Sequence, residues 1–283
     1  MNIFPSFACN FQCKFCHISK MDKGELLDLD WLESNLKDMP VPKKIGILGG
    51  EPSILPDEYL SRLISLCYQK NGKAPQMYTN LYKISPFIND VELMVSYDPG
   101  SRQARRQVFQ NMLLLQKPFT VSTIVTKAVV EAGVDKLLQM VRRVRNIKQI
   151  HLSSYAAFSD CEDLRPTPEE LVTFCEEFIR KNDGTLRFSP INAWISGEPK
   201  RTSLMGSIEI MPNGSFVIAP RENEPLHVFK TFQEAAGYYE QEYSDTLRGC
   251  EGCPYDGKCT HMYKDKPGDP DRIIMEHIGR VLS

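Results

Sequence analysis

The chain has 283 residues, of which 42% are hydrophobic and 25% charged, as in a globular protein with a sizeable core. Its 34 basic and 36 acidic side chains give a net charge of −2, which indicates neither a nucleic-acid-binding surface nor an acidic tail. No run approaches the ~20 apolar residues of a membrane helix, and the first residues show no signal-peptide pattern. We therefore expect a cytoplasmic protein with no nucleic-acid or membrane partner.

The first feature along the chain is a dense group of cysteines, CNFQCKFCH at residues 9–17. Clustered cysteines in a reducing compartment bind metal more often than they form disulfides. Structural zinc sites use four ligands, whereas three thiolates on one loop can hold three irons of a 4Fe–4S cluster and leave the fourth iron open. Two alternatives remain, namely the haem-attachment pattern C-x-x-C-H and a zinc site made of these residues: Cys9, Cys13, Cys16 and His17.

Downstream, short β-branched or apolar runs alternate with longer amphipathic ones. The predicted strands are residues 43–48, 75–80, 91–97, 119–126, 148–155 and 185–191. The predicted helices are residues 28–39, 57–71, 101–116, 133–146 and 167–182. Such alternation predicts parallel βαβ units. Because six units are too few for a complete eight-stranded barrel, we expect an α/β fold with a partial (β/α)6 TIM-like barrel.

Helix limits are predicted from capping residues. Helix starts are expected at side chains that accept hydrogen bonds from a first helical turn: Asp30, Asp57, Ser101 and Thr167, the last followed by Pro168. Helix ends are expected at two glycines, Gly72 and Gly184.

The sequence pattern changes near residue 200. GSIEIMPNGSFVIAP, at residues 206–220, predicts a β-hairpin around a Pro-Asn-Gly turn, and a helical stretch follows at 229–247. We place the domain limits at 1–200 and 201–283, the second being a small α+β domain.

Later cysteines divide into a group and single residues. Cys250, Cys253 and Cys259, spaced C-x2-C-x5-C, predict a second metal site. Cys161 lies in the polar loop SDCED after a predicted strand, where substrate is expected, so it is a candidate catalytic residue or an ordinary loop cysteine. Two more fall inside predicted helices and are expected to be buried: Cys67 and Cys175.

Two motifs together carry a family resemblance. CNFQCKFC, at residues 9–16, matches the CxxxCxxC signature of the radical S-adenosylmethionine (SAM) superfamily, and GGEP, at 49–52, resembles that superfamily's second motif. The resemblance covers about residues 1–195. It implies that the amine and carboxylate of SAM chelate the open iron of a 4Fe–4S cluster. One electron from the reduced cluster then cleaves a sulfonium C–S bond, giving methionine and a 5′-deoxyadenosyl radical that abstracts hydrogen from substrate.

The resemblance also implies which residues bind SAM. Gly49 and Gly50 would let the backbone approach the methionyl group, and Glu51 would accept a hydrogen bond from its ammonium. Phe15 would lie near the adenine or else pack in the core. Polar residues at strand ends would contact the methionyl and ribose groups, or else serve as caps and turn residues: Thr79, Asn80, Ser96, Asp98, Ser122 and Thr123.

Three arginines would meet an anionic substrate or line an exposed helix face: Arg102, Arg105 and Arg106.

The C-terminal cysteine group resembles the SPASM extension of peptide-modifying radical SAM enzymes, with departures. Tyr263 stands where that motif has a further cysteine, and the hairpin lacks the usual cysteines, with Ala219 at one of the positions. We therefore expect a single auxiliary 4Fe–4S cluster in an iron–sulfur domain, or a Cys3His zinc site instead. The fourth ligand would be none from the protein or one of these: His261, His277, Asp256 or Asp265.

The resemblance implies modification of a peptide or protein side chain, such as a carbon–carbon, ether or thioether crosslink, or an epimerised residue. Only eight residues precede Cys9, so we expect no fused leader-binding domain, and a peptide would need a separate leader-peptide-binding protein or direct capture. A flavodoxin or ferredoxin would supply the electron. The alternatives are a radical SAM oxidoreductase or mutase acting on a small metabolite, and a non-catalytic iron–sulfur electron carrier or sensor.

Overall fold

The computed structural model describes residues 1–16, 18, 21–100, 102–155, 162–182, 187–189, 204–218 and 227–250. Several residues singled out above lie outside these ranges: His17, Ser101, Cys161, Gly184, Cys253, Cys259, His261 and His277. The chain divides into two compact units. The first comprises the described residues of Met1–Gln12, Cys16–Val95 and Thr202–Asp245, and the second those of Cys13–Phe15, Ser96–Arg201 and Thr246–Ser283.

Strands and helices alternate through most of the described chain. The strands are β1 (Asn2–Ile3), β2 (Gly46–Ile47), β3 (Gln76–Thr79), β4 (Glu92–Ser96), β5 (Phe119–Val125), β6 (Ile147–Ser154), β7 (Arg187–Ser189), β8 (Ile208–Ile210), β9 (Phe216–Ile218) and β10 (His227–Phe229). The helices are α1 (Leu29–Asp38), α2 (Asp57–Asn71), α3 (Arg105–Leu114), α4 (Lys127–Ala132), α5 (Val134–Arg143), α6 (Pro168–Lys181), α7 (Leu204–Ser207) and α8 (Phe232–Cys250). None of the helices in these ranges is long and apolar enough to cross a membrane.

The first unit is built on a sheet with the strand order β10-β9-β8-β1-β2-β3-β4. The pairs from β8 to β4 are parallel, and the other two pairs are antiparallel. The register places Ile3, Ile47, Met77 and Leu93 side by side, with Ile210 beyond Ile3. All five side chains are buried, so this row forms the core of the unit.

The second unit contains the parallel run β5-β6-β7. Val121 of β5 pairs with Ile150 of β6, and both side chains are fully buried. One residue further along, Ser122 pairs with His151, and both are half-buried on the opposite face. α4 packs against β5, and α5 packs against α6. The unit therefore has one apolar face and one more polar face on β5 and β6.

Two of the predicted helix starts are wrong. The N-cap of α1 is Asp28, because its carboxylate accepts hydrogen bonds from the N–H groups of Asp30 at 2.8 Å and Trp31 at 3.2 Å. In α2 the N-cap position belongs to Pro56, and Asp57 is the first helical residue. A carboxylate in the first turn is stabilised by the positive end of the helix dipole, which explains why an acidic residue occurs near both starts.

Two other helix limits are confirmed. Thr167 caps α6 in a capping box, since Thr167 Oγ1 accepts from Glu170 N at 3.2 Å and the Glu170 carboxylate accepts from Thr167 N at 2.8 Å. Pro168 occupies the first helical position, as predicted. Gly72 ends α2 in the left-handed conformation with φ 69°, and its N–H donates to Tyr68 O at 2.7 Å.

The predicted hairpin is confirmed and has an additional neighbour. β8 and β9 are antiparallel around a turn in which Gly214 has φ 78°, a conformation that suits glycine. β8 also pairs in parallel with β1, a two-residue strand that the sequence analysis missed. The hairpin thus extends the first unit's sheet. The division at residues 200 and 201 stays a prediction.

Candidate functional site

The cysteine loop, residues 9–16, follows β1 in irregular backbone and turns. Cys13 is buried, whereas the thiols of Cys9 and Cys16 are partly exposed. The N–H of Phe11 donates to Cys9 Sγ at 3.4 Å. Within the described residues no group of three potential metal-binding side chains is found, and joint binding of a cluster by the three thiols stays a prediction. Their chemistry still fits the predicted cluster, because iron–sulfur clusters are held by thiolates and hydrogen bonds to sulfur are part of such sites.

The GGEP turn, residues 49–52, is joined directly to the backbone that leads into Cys9. Gly50 N donates to Ser6 O at 2.9 Å, and Glu51 N donates to Ala8 O at 2.8 Å. A Cβ on Gly50 would lie 1.8 Å from Ala8 O, and one on Gly49 would lie 2.4 Å from Ser6 O. Because the two glycines lack a Cβ, the segment before the cysteine loop can pack directly against the GGEP turn. Their predicted contact with the methionyl group stays a prediction.

Glu51 is buried behind this turn and is held by three donors. Oε1 accepts from Thr79 Oγ1 at 2.6 Å and from Ser53 N at 3.1 Å, and Oε2 accepts from Asn80 N at 2.6 Å. Burial raises the pKa of the Glu51 carboxyl, and the hydrogen bonds partly offset that rise. Each carboxylate oxygen accepts two hydrogen bonds, so Oε2 retains an acceptor position in this set of contacts. The predicted contact with the SAM ammonium stays a prediction, and the structure adds that Glu51 links the GGEP turn to β3.

Asn80 connects the end of β3 to the cysteine loop. Its Nδ2 donates to Asn10 Oδ1 at 2.8 Å and lies 3.9 Å from Cys9 Sγ. Its Oδ1 accepts from Tyr82 N at 2.9 Å, and the side chain is buried. Asn80 therefore stabilises the turn after β3, and its predicted contact with SAM stays a prediction.

Leu81, the next residue, shows that this turn is held in an uncommon conformation. Its φ is 52°, in the left-handed region that few residues other than glycine adopt, and its side chain is fully buried. The Leu81 N–H donates to Thr79 Oγ1 at 2.9 Å. Burial and this hydrogen bond offset the backbone strain, which is of order 1 kcal/mol for such residues.

In the second unit, Asp98 and Arg102 form a buried ion pair. Nε and Nη2 of Arg102 each lie 2.6 Å from Asp98 Oδ2, and Asp98 Oδ1 accepts from Ile124 N. The guanidinium carbon lies 5.3 Å from the centroid of the Phe15 ring, within the range of a cation–π contact. Burial raises the pKa of the Asp98 carboxyl, while the positive charge of Arg102 opposes that rise. Phe15 is itself buried, and its predicted place near the adenine stays a prediction.

Three more predicted SAM contacts lie in or beside β4 and β5. Thr123 Oγ1 donates to Tyr97 O at 2.7 Å, and Tyr97 N donates to Ser122 O at 2.9 Å. Thr123 is fully buried, whereas Ser96 and Ser122 are half-buried. The Thr123 hydroxyl therefore binds the neighbouring backbone, and the SAM contacts predicted for Thr123, Ser96 and Ser122 stay predictions.

Sequence reasoning identified most of these residues but not their partners. Glu51, Thr79 and Asn80 are brought together with Cys9, as motifs at neighbouring strand ends suggest. Asn10 was missed, although it is adjacent to a predicted ligand. Arg102 was assigned to a substrate or a solvent-exposed face, and it is instead paired with Asp98. The i,i+4 spacing of the two residues was the available signal.

The C-terminal metal site falls largely outside the described residues. Cys250 is the last residue of α8, and nothing is described beyond it. The auxiliary cluster, the zinc alternative and the candidate ligands His261 and His277 therefore stay predictions, as does the role of Cys161.

No family model and no curated protein sequence matches the chain. Solved structures match its fold. Native anSMEcpe with bound AdoMet and Cp18Cys peptide aligns with a TM-score of 0.73 and 14% identity, over 99% of this chain and 97% of that one. Streptococcus suis SuiB bound to S-adenosylmethionine aligns with a TM-score of 0.65 and 16% identity, over 95% of this chain and 74% of that one.

A third structure, Streptococcus suis SuiB bound to the precursor peptide SuiA, aligns with a TM-score of 0.55 and 18% identity, over 76% of this chain and 58% of that one. The chain thus shares the fold of proteins whose structures hold AdoMet, which is SAM. The predicted α/β fold class is confirmed, because the chain shares the fold of these solved structures.

Proposed function

We propose that this chain is a radical SAM enzyme that modifies a peptide or protein side chain. The main support is that the GGEP turn is hydrogen-bonded to the segment that leads into the cysteine loop. Gly50 N donates to Ser6 O at 2.9 Å, and Glu51 N donates to Ala8 O at 2.8 Å. This pairing supports the proposal, because Glu51, expected to bind an amine, is bonded to the backbone that leads into Cys9, an expected cluster ligand. An electron carrier or sensor has no use for that arrangement.

The residues of this chain would hold the cluster and orient SAM. Cys9, Cys13 and Cys16 would hold the cluster, which supplies with bound SAM a 5′-deoxyadenosyl radical for hydrogen abstraction. Glu51 would accept from the methionyl ammonium through the acceptor position left on Oε2. Ser96 and Ser122, both half-buried, would donate to SAM oxygens.

A peptide substrate is supported by the structural neighbours, two of which were solved with a Cp18Cys peptide or with the precursor peptide SuiA. The reductant would be a flavodoxin or ferredoxin, and recognition of the peptide would involve a separate leader-peptide-binding protein or direct capture. We further propose one auxiliary 4Fe–4S cluster at the C-terminal cysteines and a cytoplasmic location, both on the sequence alone.

Anaerobic reconstitution with iron, sulfide, dithionite and SAM tests the enzymatic proposal. We expect release of 5′-deoxyadenosine from the wild-type chain and none from Cys13→Ser. Cys67→Ala, which changes a fully buried cysteine of α2, is the matched control and should retain the activity. A wild-type chain that binds a cluster but releases no 5′-deoxyadenosine would be a carrier or sensor, and the proposal would be wrong.

The substrate class needs its own experiment. Short peptides encoded beside the gene are incubated with the reconstituted enzyme and analysed by mass spectrometry in light and heavy water. We expect a hydrogen-pair loss for a crosslink, or uptake of solvent deuterium for epimerisation. Turnover of a small metabolite without any peptide change would contradict the peptide assignment while leaving the radical chemistry in place.

A further inference from the structure

Asn80 makes hydrogen bonds through its backbone N–H and through both polar atoms of its side chain. Its backbone N–H donates to Glu51 Oε2 at 2.6 Å, its Oδ1 accepts from Tyr82 N at 2.9 Å, and its Nδ2 donates to Asn10 Oδ1 at 2.8 Å. The side chain is only 4% exposed. A residue held in this way cannot turn towards a ligand without breaking buried hydrogen bonds, each of which costs about 1–3 kcal/mol when a partner is left unsatisfied.

The same amide group lies beside a predicted cluster ligand. Asn80 Nδ2 is 3.9 Å from Cys9 Sγ, and it also holds the side chain of Asn10, the residue that follows Cys9. Phe11 N donates to the same sulfur at 3.4 Å. Two N–H groups from different parts of the first unit, one on the loop and one at the end of β3, are therefore directed at one thiol.

We propose that Asn80 is a positioning residue for the SAM-binding cluster, which fixes the Cys9–Asn10 turn and sets the cluster's reduction potential through its N–H. The inference rests on the proposed function. An N–H directed at a ligating sulfur stabilises negative charge there, and the reduced cluster is the more negative form. Loss of the donor therefore makes the cluster harder to reduce.

The test compares Asn80→Asp with Asn71→Asp in the full reconstituted chain. Aspartate at position 80 keeps the acceptor for Tyr82 N and removes the donor to Asn10 and Cys9. Asn71 is a matched control, because its Oδ1 accepts from Lys73 N at 3.0 Å in the same type of turn, at the end of α2. The readouts are iron content, thermal unfolding, and a redox titration of the EPR signal that changes on addition of SAM.

We expect Asn80→Asp to shift that signal's midpoint to a more negative potential, through the lost donor and the added charge together. Asn80→Ser, which removes the amide donor without adding a charge, should shift it the same way by about a two- to tenfold change in the equilibrium constant for reduction, the range that one hydrogen bond supplies. Asn71→Asp should leave it unchanged. A folded Asn80→Asp chain that loses SAM-responsive iron supports the positioning role equally. An unchanged midpoint, EPR signal and iron content would overturn the proposal.

If Asn80→Asp does not fold, Asn10→Ala tests the positioning role, because it removes the acceptor through which Asn80 fixes the Cys9–Asn10 turn and leaves the contacts of Asn80 with Glu51 and Tyr82. Lost SAM-responsive iron or a shifted midpoint supports that role, and an unchanged signal and iron content overturn it. A wild-type chain that shows no SAM-responsive cluster would instead contradict the proposed function, so the two failures are distinguishable.

Discussion

Asp98 and Arg102 form an ion pair that is largely withdrawn from water. The Asp98 side chain is 0% exposed and that of Arg102 is 11% exposed. Removing two charges from water is costly, and their attraction repays that cost only when the geometry is good and other hydrogen bonds are made. Ile124 N supplies one such bond to Asp98, and the Phe15 ring supplies a face for the guanidinium.

Arg102→Met should therefore destabilise the chain by about 3–5 kcal/mol, because it leaves a buried carboxylate without its partner. The double variant Asp98→Asn/Arg102→Met should recover a large part of that loss. Chemical denaturation of each variant measures both effects. Arg62→Met, which removes an exposed arginine paired with Asp30 and Glu33, is the contrasting case and should change stability little.

Should Arg102→Met be no more harmful than Arg62→Met, the Asp98–Arg102 pair would not stabilise the second unit. A double variant as unstable as the single one would point instead to lost packing of the arginine stem against Phe15.

Glu51 gives the clearest pH dependence, because burial raises the pKa of its carboxyl above the ordinary value of 4.5. The unfolded chain therefore loses this proton first as the pH rises, and ionisation favours unfolding. We expect the stability of wild type relative to Glu51→Gln to be greatest below pH 4.5 and to fall as the pH rises through the folded-state pKa. Urea denaturation of both chains across this range measures the difference, and a difference independent of pH would contradict the expectation.

At the scale of elements, the GGEP turn and the segment before Cys9 can approach closely because Gly49 and Gly50 carry no side chains. The backbone of Ser6 to Ala8 occupies the space where the Cβ atoms of residues 49 and 50 would lie. This contact lets Gly50 and Glu51 pair with that backbone. The glycines of the motif thus have a structural use within the protein before any ligand binds.

Gly50→Ala should destabilise the chain by about 3 kcal/mol, the upper end of the usual cost of overpacking, since the new Cβ would meet a backbone oxygen that cannot rotate away. It should also lower the cluster content after reconstitution, because the cysteine loop must shift. Gly237→Ala, at a helical glycine in α8 with open space around it, should be neutral or slightly stabilising. Equal stability of the two variants, measured by thermal unfolding, would contradict the close approach.

How far the elements were predictable depends on whether their signals are local. The capping box at Thr167 and the glycine stop at Gly72 are local signals, and both are confirmed. β1 escaped prediction because a two-residue strand has no periodicity and exists only through its partners β2 and β8. α3 starts at Arg105 rather than near residue 101, because Arg102 before it is engaged with Asp98 and Ala104 takes φ 49°.

At the scale of the whole molecule, the sequence predicts the site's residue types but not their contacts. CxxxCxxC and GGEP identify the cysteine loop and Glu51 because each motif is contiguous. That Asn80 reaches Asn10 and Cys9, 70 and 71 residues away, follows from the position of β3 beside β2 and cannot be read from spacing. Long-range hydrogen bonds of this kind become visible only in the folded chain.

The two cysteine groups are expected to hold separate metal clusters, and metal analysis tests both. The cysteine loop is described and lies beside GGEP, whereas the C-terminal group is predicted from its C-x2-C-x5-C spacing. A chain with two cubanes holds about eight irons, and a chain with one cubane and a Cys3His site holds about four irons and one zinc.

We expect about eight irons per reconstituted wild-type chain, falling to about four in Cys253→Ala/Cys259→Ala with the SAM-responsive EPR signal retained. Cys13→Ala/Cys16→Ala should also fall to about four irons but lose that signal, because the cluster expected to chelate SAM is the one held by Cys9, Cys13 and Cys16. Cys67→Ala should retain about eight irons per chain. Iron and zinc analysis together with EPR separates these cases. The predicted auxiliary cluster would be wrong if Cys253→Ala/Cys259→Ala kept its full iron content. It would also be wrong if zinc replaced half of the iron in the wild-type chain.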